Sequence, residues 1–242
     1  MKVIAVMTRA PRTSVDAPDE IKTRLKPVLP EITSREALQR ACLADVLTAA
    51  RAVPGALVRV AVTRAGNERA WADLGVAPAH VLTQRGESLG ERERGVFADL
   101  FRRGARQVVL VGSDVPTLGA AILQQAFAAL VASPSHVVLG PAADGGYYLL
   151  GLAGPVVPDL FSGVRWSTRY ALADTLRRCE FESRRVTFLP MLDDLDEPES
   201  LAHLRADLEV DPSRAPHTAA FLRQVEPLGT ASVGQVRPLQ QP

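Results

Sequence analysis

The stretch "VVLVGSDVPTL", Val108 to Leu118, sets the reading of the fold. Four apolar, mostly β-branched residues end abruptly in Gly-Ser-Asp, with a proline soon after. A run without polar alternation is covered on both faces, as in a parallel sheet sandwiched between helices. A carboxylate at the end of such a strand is poorly solvated unless something charged lies against it. Asp114 is therefore the first candidate functional residue, and its partner is the first question.

Working outward, strand-like runs recur at "KVIAVM", "LVRVAVT", "HVLTQ", "SHVVLG", "YYLLGL" and "RVTFLP". Helical patterns fill most of the intervals. "TSRE" predicts a capped helix start, with Thr33 as cap and Glu36 reciprocating, and Pro54-Gly55 as the stop. "SLGERERGVFADLFRRG" predicts a second helix ending at Gly104, and "LGAAILQQAFAALVAS" a third. Alternation of this kind implies crossover connections and a mainly parallel sheet in an α/β fold. Ligands then gather beyond the carboxyl ends of the strands, where strand order reverses.

The chain has 242 residues, 47% hydrophobic and 23% charged with net charge +1, so no global field recruits nucleic acid or a membrane surface. One domain over residues 1–225 is expected, with 226–242 a disordered tail rich in Pro, Gly and Gln. The apolar run of "MKVIAVMTRAPR" is too short for a signal-peptide core, which predicts a cytoplasmic protein. Cys42 and Cys179 lie far apart and read as buried thiols, and the four histidines form no metal-type pair.

The loop "TRAPRTSVDAPDEIKTRLKP" carries Arg9, Arg12, Lys22, Arg24 and Lys26, either a solvated surface or a clamp for a polyphosphate. It is neither a Walker A loop nor a dinucleotide fingerprint. In "LPMLDDLDEPESL", Asp193, Asp194 and Asp196 crowd together before Pro198, with Glu199 in the first turn of a helix. Such carboxylates either favour a helix N-terminus or are bridged by a hard cation. "LGPAADGGYYLLGL" places Asp144, Gly145 and Gly146 between two strands, as a tight hairpin or a close approach for a ligand. "RWSTRYALADTL" reads as a helix start capped by Ser167 or Thr168, beside Trp166.

Taken in order, "AP…KTRL", "QRGESLGER", "VGSDVPTL", "LGPAADGGYYLLGL", "WST…T" and "DLDEPESL" resemble the bacterial radical-SAM/selenodomain-associated transferases. That family has a GT-A-like nucleotide-diphospho-sugar transferase fold, a three-layer α/β/α arrangement on a mixed, mainly parallel sheet. It is similar to CofC-like guanylyltransferases and, more remotely, to MobA-like nucleotidyltransferases. The resemblance implies that Lys22 and Arg24 contact a nucleoside triphosphate with Arg9 in support. It implies that Gly90, Glu91 and Arg92 lie beside the nucleotide or the metal. Asp114, Asp194 and Asp196 would bind Mg²⁺, with Mn²⁺ as the alternative. Asp144, Gly145, Gly146, Ser167 and Thr168 would line the acceptor side. Two departures stand out: the first loop is longer than the family's Pro-Gly turn, and Glu197 replaces the usual Thr of the acidic motif.

The expected activity is Mg²⁺-dependent nucleotidyl transfer from a nucleoside triphosphate, GTP favoured, to a small phosphorylated or anionic acceptor with release of pyrophosphate. Lys22, Arg24 and Asp114 would carry the catalysis by alignment and charge neutralisation, with no general base. The alternatives are a glycosyltransferase using a nucleotide-diphospho-sugar, in which Asp144 activates a hydroxyl, and a non-catalytic nucleotide-binding module. The cationic "KTRL" loop favours the triphosphate.

Overall fold

A computed structural model describes residues 1–10, 21–63, 68–132 and 135–225. The first loop's Arg12 and the tail from Glu226 lie outside them. Each of the seven strand-like runs is a strand: β1 Lys2–Thr8, β2 Ala56–Val62, β3 Val81–Thr83, β4 Gln107–Gly112, β5 His136–Pro141, β6 Tyr147–Ala153 and β7 Arg185–Phe188. They form one sheet in the order β3-β2-β1-β4-β6-β5-β7. All neighbours are parallel except β6, which runs antiparallel to both β4 and β5.

Strand parity distributes the core. Ile4, Val6, Val109 and Val111 face one layer, where they meet Leu43, Val46 and Leu47 of α1 (Ile32–Arg51) and Leu123 and Phe127 of α4 (Ala120–Ala132). Val3, Ala5, Val108 and Leu110 face the other, against Val96, Phe97 and Leu100 of α3 (Leu89–Arg102) and Cys179 of α5 (Ala171–Phe181). Both faces of β1 and β4 are thus buried, as their unbroken apolar composition requires. α2 (Glu68–Ala72) bridges β2 and β3. A third cluster packs α6 (Pro198–Val210) and α7 (Pro216–Gln224) back onto α1 through Leu38, Cys42, Leu201 and Leu222. Among the described residues no helix is long and apolar enough to cross a membrane.

Two helix starts differ from expectation. α1 begins at Ile32 behind Glu31, without a side-chain cap, so Thr33 and Glu36 do not form the expected box. The buried Arg35 organises this end instead, donating to the carbonyls of Ile21, Leu29 and Pro30. α5 begins at Ala171 rather than beside Ser167 or Thr168. Ser167 adopts φ 58°, and Thr168 Oγ1 donates to the Arg165 carbonyl at 2.7 Å, so this segment turns before the helix starts.

Candidate functional site

β1 is flanked by β2 on one side and β4 on the other, so the switch point of the sheet lies at the carboxyl ends of β1 and β4. Asp114 stands there, and the answer to what it holds is Lys22. The Lys22 ammonium donates to Asp114 Oδ1 at 2.7 Å and to the Leu195 carbonyl at 2.5 Å. The Leu195 N–H donates to the Asp114 carbonyl at 2.8 Å. One buried cation therefore staples the end of β4 to the acidic stretch following β7, two segments far apart in sequence. The Lys22 side chain is 3% exposed and that of Asp114 45%. Burial is the largest influence and works against the ammonium, but the charge and hydrogen bond of Asp114 together with the nearby Cys42 and Asp196 outweigh it and leave Lys22 above its usual range.

Lys22, expected to reach a triphosphate, lines neither cavity at the site, its ammonium being engaged by Asp114 and the Leu195 carbonyl. Its backbone sits at φ 47°, a left-handed conformation uncommon for a residue with a side chain. Arg35 holds the preceding Ile21 carbonyl at 3.0 Å, which fixes the segment delivering the lysine. Beside Asp114, the Gln39 amide donates to Ser113 Oγ at 2.7 Å.

The stapled stretch forms the floor of an open cleft of about 990 Å³ that receives Arg9, Arg24, Asp114, Asp144, Asp193, Asp194 and Asp196. Burial, then the nearby Asp144, Asp196 and Asp114, push the Asp194 carboxyl up to about 6. Asp196 differs: it pairs with Arg24 at 3.1 Å, and Arg24 also approaches Glu197 at 3.5 Å. No group of three acidic, histidine or cysteine side chains among the described residues is gathered closely enough to hold a metal ion, so the expected ligands Asp114, Asp194 and Asp196 share the cleft without forming one closed set. The pairings explain it: Asp114 leans on Lys22 and Asp196 on Arg24. The remaining donor set still fits Mg²⁺, which commonly uses one or two carboxylates and completes its shell with water and substrate phosphates. Asp194 and the second oxygen of Asp114 are the candidates.

Opposite this floor, β5 and β6 are joined by a hairpin in which Asp144 Oδ1 accepts from the Gly146 N–H at 2.7 Å. Gly145 adopts φ 88°, and a Cβ there would meet the Arg169 carbonyl at 2.3 Å. Its missing side chain thus admits the 165–170 segment rather than a ligand. Leu172 N–H seals the contact by donating to the Gly145 carbonyl at 3.0 Å. Arg165 anchors the same segment through Asp174, whose carboxyl its hydrogen bonds pull down to about 2. As a result Asp144, Ser167 and Thr168 do line the cleft, with Gly146 beside them, while Gly145 packs behind.

Beyond Asp114 and Asp144 the cleft deepens into an inner cavity of about 310 Å³ walled by Met7, Leu110, Tyr147, Tyr148, Leu150 and Trp166. Of "LGER", Leu89 lines this cavity, while Gly90, Glu91 and Arg92 lie at the start of α3 off its wall. Glu91 closes a capping box with Ser88 at the start of α3. The Arg92 guanidinium donates to the Gly86 and Glu87 carbonyls. Gly90 lies under Trp166, where a Cβ would come within 2.4 Å of the indole. Glu93, one turn on, enters the cavity and had no motif to announce it. A single acidic residue in an amphipathic helix carries no signal of burial.

The seven-stranded mixed sheet with an acid-lined cleft at its switch point defines a GT-A-like α/β protein. The family model described as an uncharacterized protein conserved in bacteria, DUF2064, matches residues 46–168, just over half of the chain, and the chain belongs to that family. No curated protein matches it with significance. Among solved structures it is similar to a protein of Desulfovibrio desulfuricans G20 assigned by inference as a nucleotide-diphospho-sugar transferase. That likeness has 28% identity and TM-score 0.81, over 92% of this chain and 94% of the other. A cytidylyltransferase of Leptospira borgpetersenii shares the fold at 16% identity and TM-score 0.57, over 93% of each chain. A CMP:2-keto-3-deoxy-manno-octonic acid synthetase complexed with CTP shares it at 14% identity and TM-score 0.51, over 87% of this chain and 100% of that one.

Proposed function

We propose that the protein is a nucleotidyltransferase that moves a nucleoside monophosphate from a triphosphate to a small anionic acceptor, releasing pyrophosphate. The observation that carries the reading is the stapled floor, where Lys22 brings Asp114 and the Asp194 stretch to one side of a cleft at the switch point. Attack by an oxyanion on a phosphoryl centre demands alignment and charge neutralisation rather than covalent chemistry. Bound Mg²⁺, with Asp194 and Asp114 as its protein ligands, would supply the neutralising charge.

The chain's own residues set the rest. Arg24, solvent-exposed and held among the described residues by Asp196 and Glu197, can swing to the phosphates when a cation takes over the carboxylates. Arg9 enters the same cleft. Asp144, Ser167 and Thr168 bound the acceptor on the other side. Lys22 holds the Asp114 carboxylate in place from behind the cleft. The relatives named transferases, and the cytidylyltransferase among them, support transfer of a nucleotide or sugar.

A second reading, glycosyl transfer from a nucleotide-diphospho-sugar, is favoured by the description of the Desulfovibrio relative. Incubating the protein with Mg²⁺ and each of the four nucleoside triphosphates, or with UDP- and GDP-sugars, over a panel of phosphorylated acceptors separates the two. Acceptor-dependent pyrophosphate is expected. Free UDP or GDP from the sugars with no pyrophosphate would establish the second reading and end the first.

A further inference from the structure

The inner cavity contains one ionisable group that phosphoryl chemistry leaves without a role. Glu93 is 5% exposed and lines the cavity together with the aromatic rings of Trp166, Tyr147 and Tyr148. Its Oε2 accepts from the Tyr147 hydroxyl at 2.6 Å, and no other described side chain or backbone donor reaches the carboxyl. No lysine, arginine or histidine lines this cavity among the described residues. The other charged groups on it are Asp114, Asp144 and Asp194, all at its mouth and all acidic.

From this arrangement we propose that the inner cavity is a subsite for an organic ammonium group of the acceptor, with Glu93 as the residue that selects it. The inference rests on the transfer reading for the word acceptor, but the site itself does not. An anion entering the cavity would meet Glu93 inside and three carboxylates behind it, of which Asp114 is paired with Lys22, and no cationic side chain among the described residues lines the cavity itself. A neutral hydroxyl would make one hydrogen bond and leave the carboxylate's desolvation uncompensated. An ammonium supplies a charge-assisted hydrogen bond to Glu93 while its alkyl substituents lie against aromatic rings, which attract cations. Tyr147 and Trp166 meet edge to face at 6.3 Å and so form a corner rather than a flat wall. Burial pushes the Glu93 carboxyl up to about 7, so the group awaits a cation to hold it ionised. The acceptor this describes has its reacting oxyanion at the mouth and an amine at the opposite end.

Three isosteric probes test it on the full chain: 2-phenylethylammonium, 2-phenylethanol and phenylacetate, titrated calorimetrically into wild type and Glu93→Gln. The ammonium is expected to bind wild type at least about tenfold more tightly than the alcohol, with the carboxylate not binding. In Glu93→Gln the ammonium and alcohol should fall within about twofold of each other. Should that variant not fold, wild type alone suffices. Ammonium binding near neutral pH should release protons to the buffer, detected as a heat that changes with buffer ionisation enthalpy, whereas the alcohol should release none. Equal binding of the carboxylate, an ammonium preference retained in Glu93→Gln, or no binding of any probe would overturn the subsite. Nucleoside triphosphate binding in the same samples separates the two ideas. Nucleotide binding without ammonium preference removes the subsite alone, and the converse removes the transfer reading alone.

Discussion

Replacing Asp114 by Asn strips the Lys22 ammonium, 3% exposed, of its counter-charge. The lysine then stays charged and unpaired or gives up its proton. Deprotonation sets a ceiling: from a usual value near 10.5, losing the proton at neutral pH costs about 5 kcal/mol. The Leu195 carbonyl still accepts from Lys22, so about 3 to 4 kcal/mol is expected. Lys22→Met should cost less, because Asp114 is 45% exposed and can turn to water. Its main loss is the donor to the buried Leu195 carbonyl, about 1 to 3 kcal/mol. The double variant should cost little more than Lys22→Met alone, a coupling of about 2 kcal/mol or more. Urea denaturation of the four proteins at neutral pH measures each term. Additivity within about 0.5 kcal/mol would refute the staple.

Three further outcomes follow from the same geometry. Gly90→Ala should force the Trp166 indole away from α3, with a red-shifted tryptophan emission and a loss of about 1 to 3 kcal/mol; an unchanged spectrum would count against the packing role. Arg24→Ala should leave stability within about 0.5 kcal/mol, because the residue is 61% exposed, yet weaken triphosphate binding about five- to tenfold by titration calorimetry. Glu93 has its folded-state proton held more tightly than in the unfolded chain, so its stabilisation is complete below about pH 4.5 and lost as pH rises through about 7. Wild type measured against Glu93→Gln should therefore gain about 3 kcal/mol between about pH 8 and about pH 4.5, and a constant difference would contradict the buried carboxyl.

The fold was legible because burial writes itself into composition: the strands covered on both faces, β1 and β4 above all, are unbroken apolar runs. The site was legible where its chemistry is local. Asp114 ends a strand, Asp194 follows another, and both reach one cleft. What stayed hidden depends on contacts across the chain. Lys22 in "KTRL" looks like a solvent cation, and only its partner 92 residues away makes it a buried one. Gly145 read as either a hairpin turn or an approach for a ligand, and Gly90 by resemblance as a neighbour of the nucleotide, but each admits a neighbouring part of the same chain, the Arg169 carbonyl or Trp166. Thr33 had the residue types of a cap, yet Arg35, gathering three carbonyls, decided where the helix begins.

The most direct test is titration calorimetry of the four nucleoside triphosphates with and without Mg²⁺, on wild type and Asp194→Asn. Binding by wild type that requires Mg²⁺, and that weakens at least about tenfold in Asp194→Asn, is expected. Triphosphate binding that is the same in both proteins and indifferent to Mg²⁺ would contradict a cation-dependent nucleotide site on the floor stapled by Lys22.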